Sequence, residues 1–428
     1  MPEPLQNANT TAYVQIDEKI CNGCVLCMKS CPTRAIRVKN GQVARVQGVC
    51  IDCGECVRTC PKGAVKAISS EGEDFPVNSD VIVSPSTVLY SQFGEDYLPN
   101  DILLGISSMG FGYVHDQSYT SEMCNFAIEL YIRESRRKKE SYFPLISPAC
   151  PVVVRLISYR FPSLLKHVPP LATPREIVAR EAKKRMSVKY GCRPEDIKVL
   201  HITPCSAMMD FVKRSSSRGH PVKDKAVGIN IVYDSVKKHL QELDDDDRVL
   251  HHSSGIGLGW GMSGGEIAGV KGNCLAVSGL DETIRYLEKI EMGLLRELDY
   301  IECRMCTEGC LGGPFTVADK YQAKELLRKL VLMFGVEKRI KYKYVIKLYR
   351  SGWFFTQKDR SPLQDMAPQH SVSERIERLN RVEEVLRSLP RKECGLCGAP
   401  DCRTFAEDVV DGRASLEACI LVGKGRKS

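Results

Sequence analysis

The strongest constraint on this chain is a repeat. Cys21-x2-Cys24-x2-Cys27-x3-Cys31-Pro32 is followed, at identical spacing, by Cys50-x2-Cys53-x2-Cys56-x3-Cys60-Pro61. Thiols this crowded cannot form an apolar core by themselves and need something to bind. The spacing is that of paired [4Fe–4S] sites, in which the fourth cysteine of each run ligates the other cluster. One site is therefore assigned to Cys21, Cys24, Cys27 and Cys60, and the other to Cys50, Cys53, Cys56 and Cys31. Irons ligated in this way can only relay electrons. Zinc is the alternative for an isolated C-x2-C pair, but it does not call for two such runs ending in proline.

The chain has 428 residues, which suggests two to four domains, and its 43% hydrophobic content is ordinary for a globular protein. No run approaches the ~18 apolar residues of a membrane helix. Met1–Asp17 lacks a basic segment followed by an apolar one, so no secretory signal is expected and the protein is placed in the cytoplasm. Disulfides are rare there, so twenty cysteines point to metal instead. The net charge of +8 would suit an acidic partner without identifying one.

Beyond residue 76 the texture changes. Apolar runs at Val81–Val83, Leu145–Ile146, Val199–Ile202, Leu275–Val277 and Ile301 read as buried strands, with helices such as Ser121–Ser135 and Asp281–Lys289 between them. This alternation predicts parallel sheets with flanking helices. Several strands run directly into Pro85, Cys150 (S-P-A-C-P), Cys205 (T-P-C-S-A) and the dense segment Ile301–Pro314, which holds Cys303, Cys306, Cys310, Gly312 and Gly313. Ligands bind at the carboxyl ends of parallel strands, so Cys150, Cys205, Cys306 and Cys310 could converge on one cluster. The glycine-rich stretch 253–265 includes Gly255, Gly264 and Gly265. It matches no phosphate-binding motif, and a close backbone approach to a large cofactor suits it better.

Residues 321–390 read as a basic helical connector, whose charge is by default a solvated face. Ser371 and Glu374 form a capping-box signature. Ile376, Leu379, Val382, Leu386 and Leu389 then make an apolar stripe suited to a core or to a homodimer seam. Last come Cys394, Cys397, Cys402 and Cys419, a third all-cysteine site for which zinc is the live alternative. Cys124, Cys192, Cys274 and Cys303 lie outside these patterns. The expected organisation is a tail (1–17), a two-cluster α+β domain (18–75), an α/β domain (76–320), the connector (321–390) and a small helical iron–sulfur module (391–428).

With these pieces together, residues from about 80 to 315 resemble the [FeFe]-hydrogenase superfamily. Ser147–Pro151, Thr203–Met208 and Glu302–Pro314 look like its three signature segments. Ser254–Gly265 looks like a fourth, and Arg155 stands at the family's offset from the first. The N-terminal repeat is similar to bacterial two-cluster ferredoxins, and the C-terminal unit to small modules of corrinoid proteins. The resemblance implies that Cys150, Cys205, Cys306 and Cys310 hold the [4Fe–4S] part of an H-cluster. Cys310 would also bridge to a diiron subsite carrying CO, CN⁻ and dithiolate, supplied by maturation proteins. Pro85 and Ser86 look like the groups that bond a cyanide. Gly255, Gly264, Gly265, Gly312 and Gly313 would lie against the cofactor.

Departures from the family pattern shape the functional expectation. The relay cysteine of prototypical members aligns with Ala149, a relay serine with Pro169, and two relay glutamates with Phe126 and Glu129. A cyanide-bonding lysine aligns with Met208, and a methionine near the bridging carbonyl with Arg304. Alanine, proline and phenylalanine side chains carry no exchangeable proton. Glu266, His252 and Cys303 are candidates for a substitute route, and Arg304 for restoring the charge lost at Met208. The combination of modules is most similar to the sensory hydrogenases called group D. The expectation is thus an H-cluster protein that reacts slowly and reversibly with H₂ and signals hydrogen or redox state to a protein partner. A metabolic hydrogenase with a non-standard proton path is one rival. The others are a non-catalytic scaffold like the narf-type relatives and, more remotely, a redox-linked nucleic-acid regulator.

Overall fold

The computed structural model describes residues 13–39, 43–46, 49–69, 77, 79–138, 142–217, 224–243, 248–356 and 372–423. The chain divides into two compact units, one of residues 1–68 with 361–428 and the other of residues 69–360.

In the first unit, β1 (Val14–Ile16), α1 (Leu26–Lys29), β2 (Ile36–Lys39), β3 (Val43–Val46), α2 (Glu55–Thr59) and β4 (Val65–Ala67) make the two-cluster ferredoxin domain. β1 pairs antiparallel with β4, and β2 with β3. The domain thus begins at Tyr13, inside the stretch read as a tail, and residues 1–12 lie outside the described part. Each helix carries the third cysteine of one C-x2-C-x2-C run, Cys27 or Cys56, and is entered through a left-handed residue, Val25 or Gly54.

The second unit is built on parallel sheets. β5 (Val81–Pro85) is buried along its whole length, because helices cover both faces of the sheet. After it come α3 (Pro99–Ser108), β6 (Tyr113–Val114), α4 (Gln117–Arg137), β7 (Leu145–Ile146), α5 (Pro151–Arg160), α6 (Pro174–Tyr190) and β8 (Lys198–Thr203). They are followed by α7 (Ser206–Ser217), β9 (Lys225–Gly228), α8 (Ile229–Gln241), α9 (Gly255–Leu258), β10 (Cys274–Ser278), α10 (Leu280–Glu291) and β11 (Tyr300–Arg304). One parallel sheet has the order β6-β5-β8-β9 and a second β10-β11-β7. The apolar runs seen in the sequence coincide with β5, β7, β8, β10 and β11.

α11 (Lys320–Phe334) and α12 (Tyr342–Arg350) close this unit. α11 buries Ala323, Leu326, Leu327 and Leu330 against the core that includes Leu258 and Leu311, so it is a structural wall of the central unit. Its charges are partly matched on the spot, Lys324 by Glu308 at 2.6 Å and Lys329 by Glu95 at 2.7 Å. The described part of the expected connector is therefore shared between the units. α13 (Val372–Arg387) belongs to the first unit and packs Val382 and Leu386, with the following Leu389, against Phe405 and Ala406 of α14 (Cys402–Val410). α15 (Ile420–Gly423) ends the described chain. The apolar stripe is split: Val382, Leu386 and Leu389 are core, while Ile376 and Leu379 are exposed. Ser371, and with it the capping box, lies outside the described residues.

Candidate metal centres and a buried acid network

The first unit gathers its cysteines into three groups of four. Cys21, Cys24, Cys27 and Cys60 line one cavity, and Cys31, Cys50, Cys53 and Cys56 another. Cys394, Cys397, Cys402 and Cys419 line a third. Burial pushes the Cys27 thiol up to about 11, with Cys21, Cys24 and Cys60 adding to it. Burial likewise pushes Cys56 up to about 12, reinforced by Cys50, Cys31 and Cys27. Crowded buried thiols resist becoming thiolates unless a cation is present, so each donor set suits a cationic iron–sulfur core.

In the second unit four further cysteines stand where strands end. Cys150 follows β7 and is the N-cap of α5, with Pro151 as the first helical residue. Cys205 lies between β8 and α7. Cys306 and Cys310 follow β11, Cys310 opening a short 3₁₀ turn through Gly312. Burial pushes the Cys205 thiol well above its ordinary range, and Cys306, Cys310 and Cys150 all add to the shift. Burial raises Cys310 to about 12; Arg304 opposes this, and Cys150 and Cys306 reinforce it. The four sulfurs thus sense one another across segments far apart in sequence. Gly313 makes the closure possible, since a Cβ there would lie 2.3 Å from the Pro204 carbonyl oxygen.

Other predicted positions fall around this centre. Pro85 is buried at the end of β5. Ser86 follows it, and its backbone N–H donates to the Ile202 carbonyl at 2.9 Å. The Ser86 hydroxyl oxygen accepts from the Val88 N–H, which leaves its proton to donate elsewhere. Met208 is half-buried on α7. Arg155 of α5 is ion-paired with the fully buried Asp210 of α7.

Two glycines expected against a cofactor also pack closely on the protein's own backbone. A Cβ at Gly255 would meet the Val331 carbonyl oxygen at 2.1 Å, and one at Gly265 would meet that of Gly259 at 1.8 Å. Gly264 has φ +83° and donates its N–H to Glu302 at 3.2 Å.

The positions aligned with the proton relay are closed. Ala149 is buried. Phe126 packs against Tyr342, with ring centroids 5.2 Å apart, and lies beneath the Lys338 ammonium. Pro169 is buried. Glu129 is ion-paired with Lys338 at 2.9 Å and accepts the Lys271 N–H.

A different acid cluster sits beside the centre. β11 alternates its side chains, so Tyr300, Glu302 and Arg304 share one face. Glu266 accepts from the Tyr300 hydroxyl at 2.6 Å, from the Ser147 hydroxyl at 2.8 Å and from Arg304 at 2.8 Å. Arg304 also donates to Glu302 at 3.1 Å. Glu302 accepts the backbone N–H groups of Glu266 and Ile267 as well. Burial pushes the Glu302 carboxyl up to about 7, with Arg304 opposing and Glu266 reinforcing the shift. Burial alone would lower Arg304, but Glu302 and Glu266 outweigh it and hold the guanidinium firmly charged. That charge is matched by two carboxylates, Glu266 and Glu302.

Ser147 links this network to the cysteines. Its oxygen accepts the Ala149 N–H at 3.1 Å, one residue before Cys150. Cys303 is buried nearby; burial raises its thiol above the ordinary range, and Cys150 adds to the shift. His252 is exposed and stands apart; its neighbour His251 is the buried one, 2.9 Å from Asp116. Reasoning from sequence singled out Glu266 but missed Tyr300, Glu302 and Ser147. The available signal was the alternation Y-x-E-x-R in a strand leading into a cysteine.

Residues 79–271 match the sequence profile of the C-terminal domain of iron-only hydrogenase large subunits. Residues 13–61 match a 4Fe-4S dicluster domain, and residues 389–421 an Fe–S cluster family. The periplasmic [Fe] hydrogenase large subunit of Nitratidesulfovibrio vulgaris is 26% identical over 221 residues, 48% of this chain and 52% of that one. The corrinoid/iron-sulfur protein large subunit of Moorella thermoacetica is 47% identical over 39 residues, 9% of each chain. This chain therefore spans about half the length of that hydrogenase subunit and a small part of the corrinoid protein. Two variants of the [FeFe]-hydrogenase from Chlamydomonas reinhardtii superpose with TM-scores of 0.50, at 14% and 16% identity, over 66% of this chain and 91% and 92% of theirs. At that identity the likeness speaks for the fold. No helix among the described residues is long and apolar enough to cross a membrane. The central segment thus matches the hydrogenase large-subunit domain, and the central unit shares the fold of the [FeFe]-hydrogenases.

Proposed function

We propose that this protein holds an H-cluster through Cys150, Cys205, Cys306 and Cys310, reacts slowly and reversibly with H₂, and signals hydrogen or redox state to a protein partner in the cytoplasm. When bound, the cluster supplies the redox-active metals for dihydrogen chemistry; the chain holds it and manages the proton. Cys310 would bridge to the diiron subsite, and Ser86 would donate its free hydroxyl proton to a cyanide. The other twelve patterned cysteines would hold three [4Fe–4S] clusters for electron relay.

One observation carries the reading. Four half-buried cysteines come together at the ends of parallel strands, while the positions that the resemblance aligns with the usual relay are an alanine, a phenyl ring, a proline and an ion-paired glutamate. Acid–base assistance is commonly worth about 10²–10⁴ in rate, so this arrangement favours cofactor retention with slow turnover. Ser147 and Glu266 support a substitute route, since Ser147 stands beside the Cys150 segment and donates to Glu266, and Glu302, across Arg304, has a raised affinity for a proton. The same network favours, as a second reading, a metabolic hydrogenase using this path. Turnover comparable to relay-containing enzymes would select it.

The test is infrared spectroscopy of the protein after exposure to maturation proteins. Stretching bands of CO and CN⁻ are expected. A protein that keeps its iron–sulfur clusters and shows no such bands is an electron carrier or scaffold, and the proposal fails.

A further inference from the structure

Within the first unit the C-terminal cysteine module is seated on the ferredoxin domain, and the seam runs between two of the four-cysteine cavities. The Gly398 carbonyl, one residue after Cys397, accepts the Val38 N–H at 3.0 Å. Val38 in turn lines the cavity of Cys21, Cys24, Cys27 and Cys60. On the other side of the contact, Lys29 stands two residues after Cys27. It donates to the Pro400 carbonyl at 2.6 Å and to the Glu393 carbonyl. Gly395, beside Cys394, packs closely on the same helix; a Cβ there would lie 3.1 Å from the ends of the Met28 and Lys29 side chains.

Ion pairs clamp the same seam. Arg37 meets Asp408 with both sides of its guanidinium, Nε at 2.5 Å and Nη2 at 3.2 Å, and both residues are buried. Arg34 holds Asp401, the residue before Cys402, at 2.8 Å. A buried, forked arginine–carboxylate pair fixes orientation as well as contact.

We propose that the C-terminal site exchanges electrons directly with the site of Cys21, Cys24, Cys27 and Cys60, across the Gly398–Val38 hydrogen bond, and is therefore in series with the ferredoxin clusters. This inference rests on the reading that these cysteines hold [4Fe–4S] clusters. In each transfer one electron leaves one site and enters the other; one is oxidised as the other is reduced, and no proton or group moves. Tunnelling is favoured by short paths through bonds. The link from Cys397 runs along the backbone to the Gly398 carbonyl and across one hydrogen bond to Val38, which lines the other cavity. Toward the site of Cys31 the contacts run through side chains instead, Arg34 to Asp401 and Arg37 to Asp408. Cys394 is itself exposed, so the C-terminal site can meet an external donor or acceptor at the far end of the series.

The experiment uses the full chain with its iron–sulfur clusters, reduced with dithionite and examined by electron paramagnetic resonance. The signal lost in Cys419→Ala is that of the C-terminal site. It should show dipolar splitting that survives in Cys53→Ala and is lost in Cys24→Ala. Splitting that survives in Cys24→Ala and is lost in Cys53→Ala would overturn the proposal, as would an unsplit signal in the intact protein. A second measurement does not depend on the ligand variants of the ferredoxin domain. The Val38 amide should be protected from hydrogen exchange in the intact protein and lose that protection in Cys419→Ala. Free exchange in the intact protein would overturn the path while leaving the clusters in place. Iron analysis that finds no cluster at the C-terminal site would instead remove the cofactor reading, and this inference with it.

Discussion

Two buried carboxylates of the central unit, Glu129 and Glu266, have different partners. Glu129 is on α4, where the family's relay would run, and it is held by Lys338 and the Lys271 N–H. Glu266 follows the glycine-rich segment and touches Ser147, Tyr300 and Arg304, with a second carboxylate, Glu302, across the arginine. A carboxylate locked to one ammonium is a structural tie. Glu266 is bonded to an arginine as well, but the acid across that arginine, Glu302, is one whose proton affinity is raised. Position in an alignment therefore says less about proton handling than the partners a side chain meets.

The largest effect is expected from Glu266→Gln. The amide keeps the shape and removes the base, so H₂ oxidation by the loaded protein should fall about 10²–10⁴-fold with iron content unchanged. An unchanged rate would show that the proton leaves elsewhere. Glu302→Gln should cost less, roughly tenfold, because the group stands one step further along the same network. Glu129→Gln should leave the rate within about twofold, since its carboxylate is a tie and not a carrier. Its cost should appear in stability, about 1–3 kcal/mol, through a half-buried Lys338 that loses its counter-charge. A large loss of rate in Glu129→Gln would reverse the comparison.

The smallest predicted effect is a pH dependence. The Glu302 carboxyl is raised from 4.5 to about 7 in the folded protein. Between those values the folded state binds the extra proton, so this group's contribution to stability falls as pH rises from about 4.5 and levels off above about 7. Glu302→Gln should flatten that part of the stability curve of the central unit. A curve that keeps its slope in the variant would remove Glu302 as the source.

Much of this was legible in the sequence, for identifiable reasons. The strands are short apolar runs with no competing helical pattern, so β5, β7, β8, β10 and β11 could be placed directly. The ferredoxin cysteines are local in sequence, and spacing alone predicted which of them line a common cavity. The central four were harder, because their meeting depends on how separate strands lie in register. The acid network was largely hidden: Ser147, Glu266 and Tyr300 become neighbours only when β7 and β11 pair. The seat of the C-terminal module was hidden too. Arg37 and Asp408 look like ordinary surface charges until β2 and α14 bring them together.

The most direct test follows the infrared bands of the matured protein as argon is replaced by H₂, in the unmodified chain, Glu129→Gln and Glu266→Gln. CO and CN⁻ bands are expected in all three. They should shift under H₂ at similar rates in the unmodified chain and Glu129→Gln, and far more slowly in Glu266→Gln. Bands that never form, or a Glu129→Gln protein that slows while Glu266→Gln keeps pace, would contradict it.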